Sequence, residues 1–149
     1  MVKGFISALG LDVGKKRVGV AGCDGTGLIA TGLTTIVRKS WREDIAELQA
    51  IITERQVQVL VVGMPYNLQG KLGFQAKYVE KYAEKLGRAL GLPIEYVDER
   101  LTSYEAEEML RSGRIALSRN KGLIDRKAAA IILQKWLDSP QAELWKTKV

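Results

Sequence analysis

The stretch Ala8-Leu9-Gly10-Leu11-Asp12-Val13-Gly14-Lys15-Lys16-Arg17-Val18-Gly19-Val20-Ala21 decides how the rest of the chain is read. Leu9, Leu11 and Val13 alternate with Gly10 and Asp12, and Val18 and Val20 flank Gly19. That period of two is the spacing of β-strands. The stretch reads as a strand ending in a carboxylate, a tight basic turn, and a second strand returning alongside. Burying a lone charge at the end of an apolar strand is costly, so Asp12 wants a cation. Gly14 lets the backbone turn, and the three positive charges after it suit a phosphate-bearing partner. A plain hairpin turn with a solvated basic tip explains the same residues without function.

Composition narrows the chemistry. The 149 residues make one domain large enough for a core, and 46% hydrophobic with 27% charged residues is ordinary for a globular protein. One cysteine, Cys23, excludes a disulfide framework and a cysteine-cluster metal site. With no histidine, imidazole acid–base chemistry and histidine-bound zinc are excluded as well. Catalysis must then rest on carboxylates, lysines, hydroxyls or an oxygen-ligated metal. A formal charge of +6 and a pI near 9.5 favour an anionic partner. No apolar run approaches the roughly 18–20 residues of a membrane span, and no signal-peptide pattern opens the chain, so a cytoplasmic protein with no membrane partner is expected.

Outward from the hairpin, Gly22 to Gly27 reads as a turn cluster and residues 28–37 as a third, antiparallel strand. Ser40-Trp41-Arg42-Glu43 has the form of a capping box, opening a helix with Ile45, Leu48 and Ile52 on one face. Residues 57–63, with the run Val59-Leu60-Val61-Val62, read as a strand buried on both faces, and residues 66–73 as a polar loop. Phe74, Tyr78, Tyr82, Leu86 and Leu90 predict the apolar face of a helix ending at Gly91. A short strand over 94–97 leads into Asp98-Glu99-Arg100, and Thr102-Ser103-Tyr104-Glu105 offers a second capping box. Residues 114–124 read as a mobile loop, and a last helix over 126–137 carries Ala129, Ile132, Leu133 and Trp136 inward. Strand–helix units following a meander predict an α/β architecture whose later strands run parallel to the first.

Four acids fall where this topology could gather them. Asp12 ends the first strand, Asp98 and Glu99 end the last, and Asp125 precedes the last helix. Converging carboxylates make an oxygen-rich site suited to Mg²⁺ or Mn²⁺, able to activate water and stabilise a leaving oxygen in phosphodiester cleavage. Asp98 and Glu99 are adjacent in a strand and point to opposite faces, so one of them reaches such a site. An N-cap role explains Asp125 equally well without function. A second constellation is basic: Arg111, Arg114, Arg119, Lys121, Arg126 and Lys127 surround one acid, as in an arm that follows a phosphate backbone.

With these residues in hand, the chain closely resembles the YqgF/RuvX family of RNase H-like proteins. The resemblance rests on L-G-L-D-V-G-K-K-R-V-G-V-A at 9–21, V-V-G-M-P at 61–65, V-D-E-R-L-T-S at 97–103 and D-R-K-A-A-A-I-I-L-Q at 125–134, in order and correctly spaced. Members are described as Holliday junction resolvases and as nucleases maturing the 5′ end of small-subunit ribosomal RNA precursors. The resemblance implies an RNase H-like α/β fold: a five-stranded mixed sheet, order 3-2-1-4-5, three strands antiparallel and two parallel, flanked by helices. It implies a nuclease domain over 1–138, and Pro140, which breaks the last helix, leaves 139–149 as a flexible tail. Asp12, Glu99 and Asp125 become catalytic and metal-binding acids for Mg²⁺ or Mn²⁺, with Asp98 as the substitute for Glu99.

Lys15, Lys16, Arg17, Arg100, Arg114, Arg119, Lys121, Arg126 and Lys127 become the candidate contacts to structured RNA or branched DNA. A homodimer would suit a resolvase cutting two symmetric strands. One departure stands out. RNase H-like nucleases usually carry their second acid at the end of the fourth strand, where this chain has Gly63-Met64-Pro65. Glu99 must instead reach across about two strand spacings, roughly 10 Å. Alternatives of other classes are a nucleic-acid-binding factor that cleaves poorly and an actin-like or sugar-kinase ATPase module, which needs two such domains.

Overall fold

The opening stretch forms the hairpin its alternation requires: β1 (Ala8–Val13) and β2 (Arg17–Cys23) run antiparallel, with Leu11 opposite Val20 and Asp12 opposite Gly19. The computed structural model describes residues 5–66, 73–99 and 121–146. β3 (Ala30–Val37) extends the meander on the far side of β2, and β4 (Val59–Met64) and β5 (Ile94–Asp98) add in parallel beyond β1. The sheet order is β3-β2-β1-β4-β5, as expected.

Two apolar layers follow from the alternation. Leu9, Leu11, Val18, Val20, Leu60 and Val62 face α1 (Trp41–Arg55) and α2 (Phe74–Leu90). Ala8, Ala21, Val59 and Val61 face α3 (Lys121–Leu137), whose Ala129, Ile132, Leu133 and Trp136 are all buried. α1 begins where the capping box placed it, with the Ser40 hydroxyl accepting from the Glu43 amide at 3.2 Å. α2 ends at Gly91, whose φ of 68° is the left-handed geometry a glycine tolerates.

Three differences have physical reasons. Phe74 does not lie on the buried face of α2; it is 87% exposed, and Ala76, Val79, Tyr82, Ala83 and Leu86 form that face. Phe74 is the first residue of the helix and lies about 200° around its axis from the fully buried Ala76, so it points away from the core. α3 begins at Lys121, five residues ahead of the expected Arg126, so 121–124 are helical and Asp125 is not an N-cap. The stretch after Pro140, expected as tail, forms a 3-10 helix over Pro140–Trp145, because Ala142 is buried and Trp145 packs against the α3 layer. The loop over 67–72, the second capping box at 102–105, and residues 114–120 of the basic loop lie outside the described residues.

The close seat of α3 depends on one glycine in each of four neighbouring strands. A Cβ on Gly10 would lie 2.7 Å from Leu133 Cβ, and one on Gly32 3.0 Å from Arg126 Cβ. One on Gly19 would strike the Asp125 carbonyl, and one on Gly63 would strike Ile132. Without side chains there, the helix backbone rests directly on the sheet. That seat positions the site.

Candidate functional site

Asp12 is the one residue of β1 that is not fully buried. Its side chain shares the α3 face with Gly10, because residues two apart in a strand point the same way. Its cross-strand neighbour is Gly19, and the volume a side chain would take at Gly19 is filled by the backbone of Asp125. Register and helix seat together therefore bring Asp12 and Asp125 into one place.

Glu99 arrives from β5. Ile94 and Tyr96 pack on the α2 side, whereas Val97 packs on the α3 side and Glu95 accepts from Trp136 Nε1 at 3.3 Å. By alternation Glu99 falls on the α3 face with Asp12, and Asp98 on the opposite face, where it is exposed. The Glu99 amide donates to the Met64 carbonyl at 3.1 Å, holding the residue against the end of β4. A Cβ on Gly63 would come within 3.1 Å of the Glu99 Cβ. The missing side chain on β4 is thus the space through which Glu99 passes.

Glu99 and Asp12 share a side-chain hydrogen bond. Burial pushes the Asp12 carboxyl up to about 6, the Asp125 charge adds to the rise, and the hydrogen bond from Glu99 opposes it. Burial likewise pushes Glu99 up to about 8, helped by the charge of Asp12 and by the bond Glu99 donates to it; Lys135 pulls the other way.

Asp125 has a different partner. Arg17 Nε lies 2.6 Å from its Oδ2, with the arginine side chain 34% and the aspartate 18% exposed. Asp12, Asp125, Gly14, Lys15, Lys16 and Arg17 line one open cleft of about 300 Å³. Among the described residues no three acids are already drawn into a ready metal cage. Asp12 is engaged with Glu99, and Asp125 with Arg17. The donor chemistry nevertheless fits a hard divalent cation: three carboxyls converge, with no thiol or imidazole near, and two already share a proton that a cation could replace.

Of the expected nucleic-acid contacts, Lys15 and Lys16 are exposed on the turn and Arg17 lines the cleft. Arg126 is half-buried over Gly32, with its Nε donating to the Gly122 carbonyl at 3.4 Å, and Lys127 is half-buried on the next position. Lys121 is the first residue of α3. Arg100, Arg114 and Arg119 lie outside the described residues.

Sequence reading missed Arg38. Its amide donates to the Lys16 carbonyl at 2.9 Å, and its Nη1 donates to the Gly14 carbonyl at 3.0 Å and to the Tyr78 hydroxyl at 2.5 Å. The guanidinium sits 4.4 Å from the Tyr82 ring centre and 3.9 Å from Asp44, which is buried. One arginine thus ties the basic turn to α1 and α2. Its only sequence signal is its place directly after β3, one step beyond Val37, which pairs with Arg17.

Comparison with known proteins gives concordant results. A family model described as RuvX, Holliday junction resolvase, matches residues 6–139. A protein of Trichormus variabilis named "Putative pre-16S rRNA nuclease" is 66% identical over 134 residues, 90% of this chain and 89% of that protein. One of the same name from Crocosphaera subtropica is 64% identical over 139 residues, 93% of this chain and 97% of that protein. Among solved structures, Thermus thermophilus RuvC superposes with a TM-score of 0.51 at 16% identity, covering 97% of this chain and all of that one. The same protein in complex with a Holliday junction substrate gives 0.50 at 15% identity, with 89% and 97% covered. At such low identity these two show the shared fold.

Proposed function

This chain belongs to the RuvX family of Holliday junction resolvases, and on that premise we propose that Asp12, Glu99 and Asp125 hold divalent metal, Mg²⁺ or Mn²⁺, for phosphodiester hydrolysis in structured nucleic acid. The observation that carries this reading is the convergence of the three acids, from stretches far apart in the chain, on the α3 face beside a basic turn. A bound cation supplies a more acidic water and a counter-charge for the leaving oxygen. The chain's own residues do the rest. Lys15, Lys16 and Arg17 bind backbone phosphate at the cleft mouth, which positions a nucleic acid without reading its sequence. Burial raises the Glu99 carboxyl, and any proton it carries must leave before it can act as a ligand. Asp98, on the other face, has no part in this chemistry.

We take the 5′ end of a pre-16S ribosomal RNA as the first-choice substrate, since relatives 64–66% identical carry that name. Branched DNA is the second reading, favoured by the description of the family. Among the described residues no helix is long and apolar enough to cross a membrane. Work on a ribosomal RNA precursor would place the protein in the cytoplasm. Cutting both strands of a symmetric junction would call for two copies of the chain, so sedimentation with and without a junction bears on the second reading.

The test is a side-by-side incubation of a pre-16S 5′ leader and a four-way DNA junction, with Mg²⁺, Mn²⁺ or EDTA. Metal-dependent cleavage confined to the leader is the expected result. Cleavage of the junction alone would transfer the assignment to branched DNA. Tight binding without cleavage of either would leave a binding factor.

A further inference from the structure

We infer that Arg17 is an exchangeable partner, holding Asp125 while the site is metal-free and turning to a substrate phosphate once a divalent cation takes that carboxylate. The inference rests on the metal-site reading above and deepens it. Three observations carry it. First, the ion pair is one-pronged: Arg17 reaches Asp125 Oδ2 through Nε at 2.6 Å. A guanidinium has five donors, and this contact uses one of them. Second, the two positive charges compete. A cation ligated by the same carboxylate would lie close to the guanidinium, and like charges at that range repel.

Third, the side chain can leave without disturbing what holds it. Arg17 is paired with Val37 across the sheet, and its carbonyl accepts from the Gly14 amide at 2.9 Å. Arg38 fixes the same turn through the carbonyls of Gly14 and Lys16. The backbone is thus pinned, while the side chain, 34% exposed, lines a cleft it shares with Lys15 and Lys16. A phosphate there offers the bidentate oxygen pair that suits an arginine fork. The exchange also explains why the three acids are not already gathered into a cage. Arg17 keeps Asp125 occupied until a cation arrives.

The prediction has opposite signs for two ligands, which a merely structural residue would not produce. Mn²⁺ binding, followed by isothermal titration calorimetry without nucleic acid, should strengthen about tenfold in Arg17→Ala, because a competing charge is gone. Binding of a cleavage-resistant structured RNA at saturating Mn²⁺, followed by fluorescence anisotropy, should weaken, and the log–log salt slope should become shallower by about 1, whereas binding in EDTA, where Asp125 holds Arg17, should change little. Arg17→Gln, a neutral side chain of similar length, carries the same expectations, so a folding defect in one variant leaves the test in force. Arg17→Lys keeps the charge and should hold Mn²⁺ affinity near wild type. Equal or weaker Mn²⁺ binding in both neutral variants, or unchanged RNA binding at saturating Mn²⁺, would overturn the exchange. Wild-type protein that takes up no Mn²⁺ removable by Asp125→Asn would instead overturn the metal site itself, and the exchange with it.

Discussion

Glu99 donates a hydrogen bond to Asp12 across a whole strand that separates them, β4 lying between β1 and β5. The bond exists because the strand end between them presents Gly63, where any side chain would crowd Glu99. The second acid of the site therefore sits one strand further out, on a longer side chain, and reaches the same point.

Crowded acids predict a stability gain on neutralisation. Asp12→Asn and Glu99→Gln each remove a charge from a buried cluster while keeping hydrogen-bonding capacity. At pH 8 without metal, each should raise stability by about 1–2 kcal/mol, seen as a Tm higher by a few degrees, while cleavage is lost. A lowered Tm with cleavage intact would return Asp12 to the role of a hairpin acid.

The pH dependence has a definite sign. Both carboxyls are raised on folding, Asp12 from 3.8 to about 6 and Glu99 from 4.5 to about 8, so the folded state binds more protons than the unfolded one between these values. Their contribution is fully present below about pH 4 and is lost as pH rises through 6 and then 8. Metal-free wild type should therefore lose stability across that window in denaturant titrations, and Asp12→Asn and Glu99→Gln should each flatten the fall. Mg²⁺ should stabilise more at pH 8 than at pH 6, because its ligands must be deprotonated.

The two neighbours on β5 should behave differently. Asp98→Asn changes an exposed residue on the face away from the site and should leave metal-dependent turnover within about threefold of wild type. Glu99→Gln should reduce it by about 10² or more. Single-turnover cleavage rates for the two variants, with binding measured separately, decide the matter, and the reverse order would exchange their roles.

Gly19→Ala tests the seat of α3. The new methyl would meet the Asp125 carbonyl, so the helix must lift or the strand must bend. We expect a loss of about 1–3 kcal/mol, together with a fall in cleavage at temperatures where the variant is still folded. Urea melts and activity, measured together, check both parts.

Arg38→Lys keeps the charge and the backbone bond to Lys16, but its single ammonium cannot reproduce the guanidinium's contacts to the Gly14 carbonyl, the Tyr78 hydroxyl and the Tyr82 ring together. The 14–17 turn should loosen, with faster hydrogen exchange at the Arg17 amide and about three- to tenfold weaker RNA binding in EDTA. Unchanged exchange and affinity would show that the turn holds its own shape.

Much of this was legible in the sequence. The period-2 alternation of 8–21 gave the hairpin, the apolar run at 59–62 gave the central parallel strand, and the adjacency of Asp98 and Glu99 required that they part to opposite faces. What stayed hidden was set by contacts between distant segments. Nothing local distinguishes Gly10, Gly19, Gly32 and Gly63 as a seat for α3, since the feature exists only once four strands lie side by side. The start of α3 was misread because 121–124 carry no apolar periodicity; their helix is supported by the sheet beneath, where Thr35 Oγ1 donates to the Gly122 carbonyl at 2.5 Å. Arg38 was invisible for the same reason, its partners lying on the turn and on both helices of the other layer.

The account stands or falls on whether Asp12, Glu99 and Asp125 act as one metal-dependent centre. The most direct measurement is single-turnover cleavage of a pre-16S 5′ leader by wild type, Asp12→Asn and Asp125→Asn, with Mg²⁺ and with EDTA, at protein concentrations that saturate binding. Wild type should cut only with Mg²⁺, and both variants should bind the RNA yet cut at least about 10²-fold more slowly. Mg²⁺-independent cutting by wild type, or cutting by either variant within a few-fold of wild type, would contradict it.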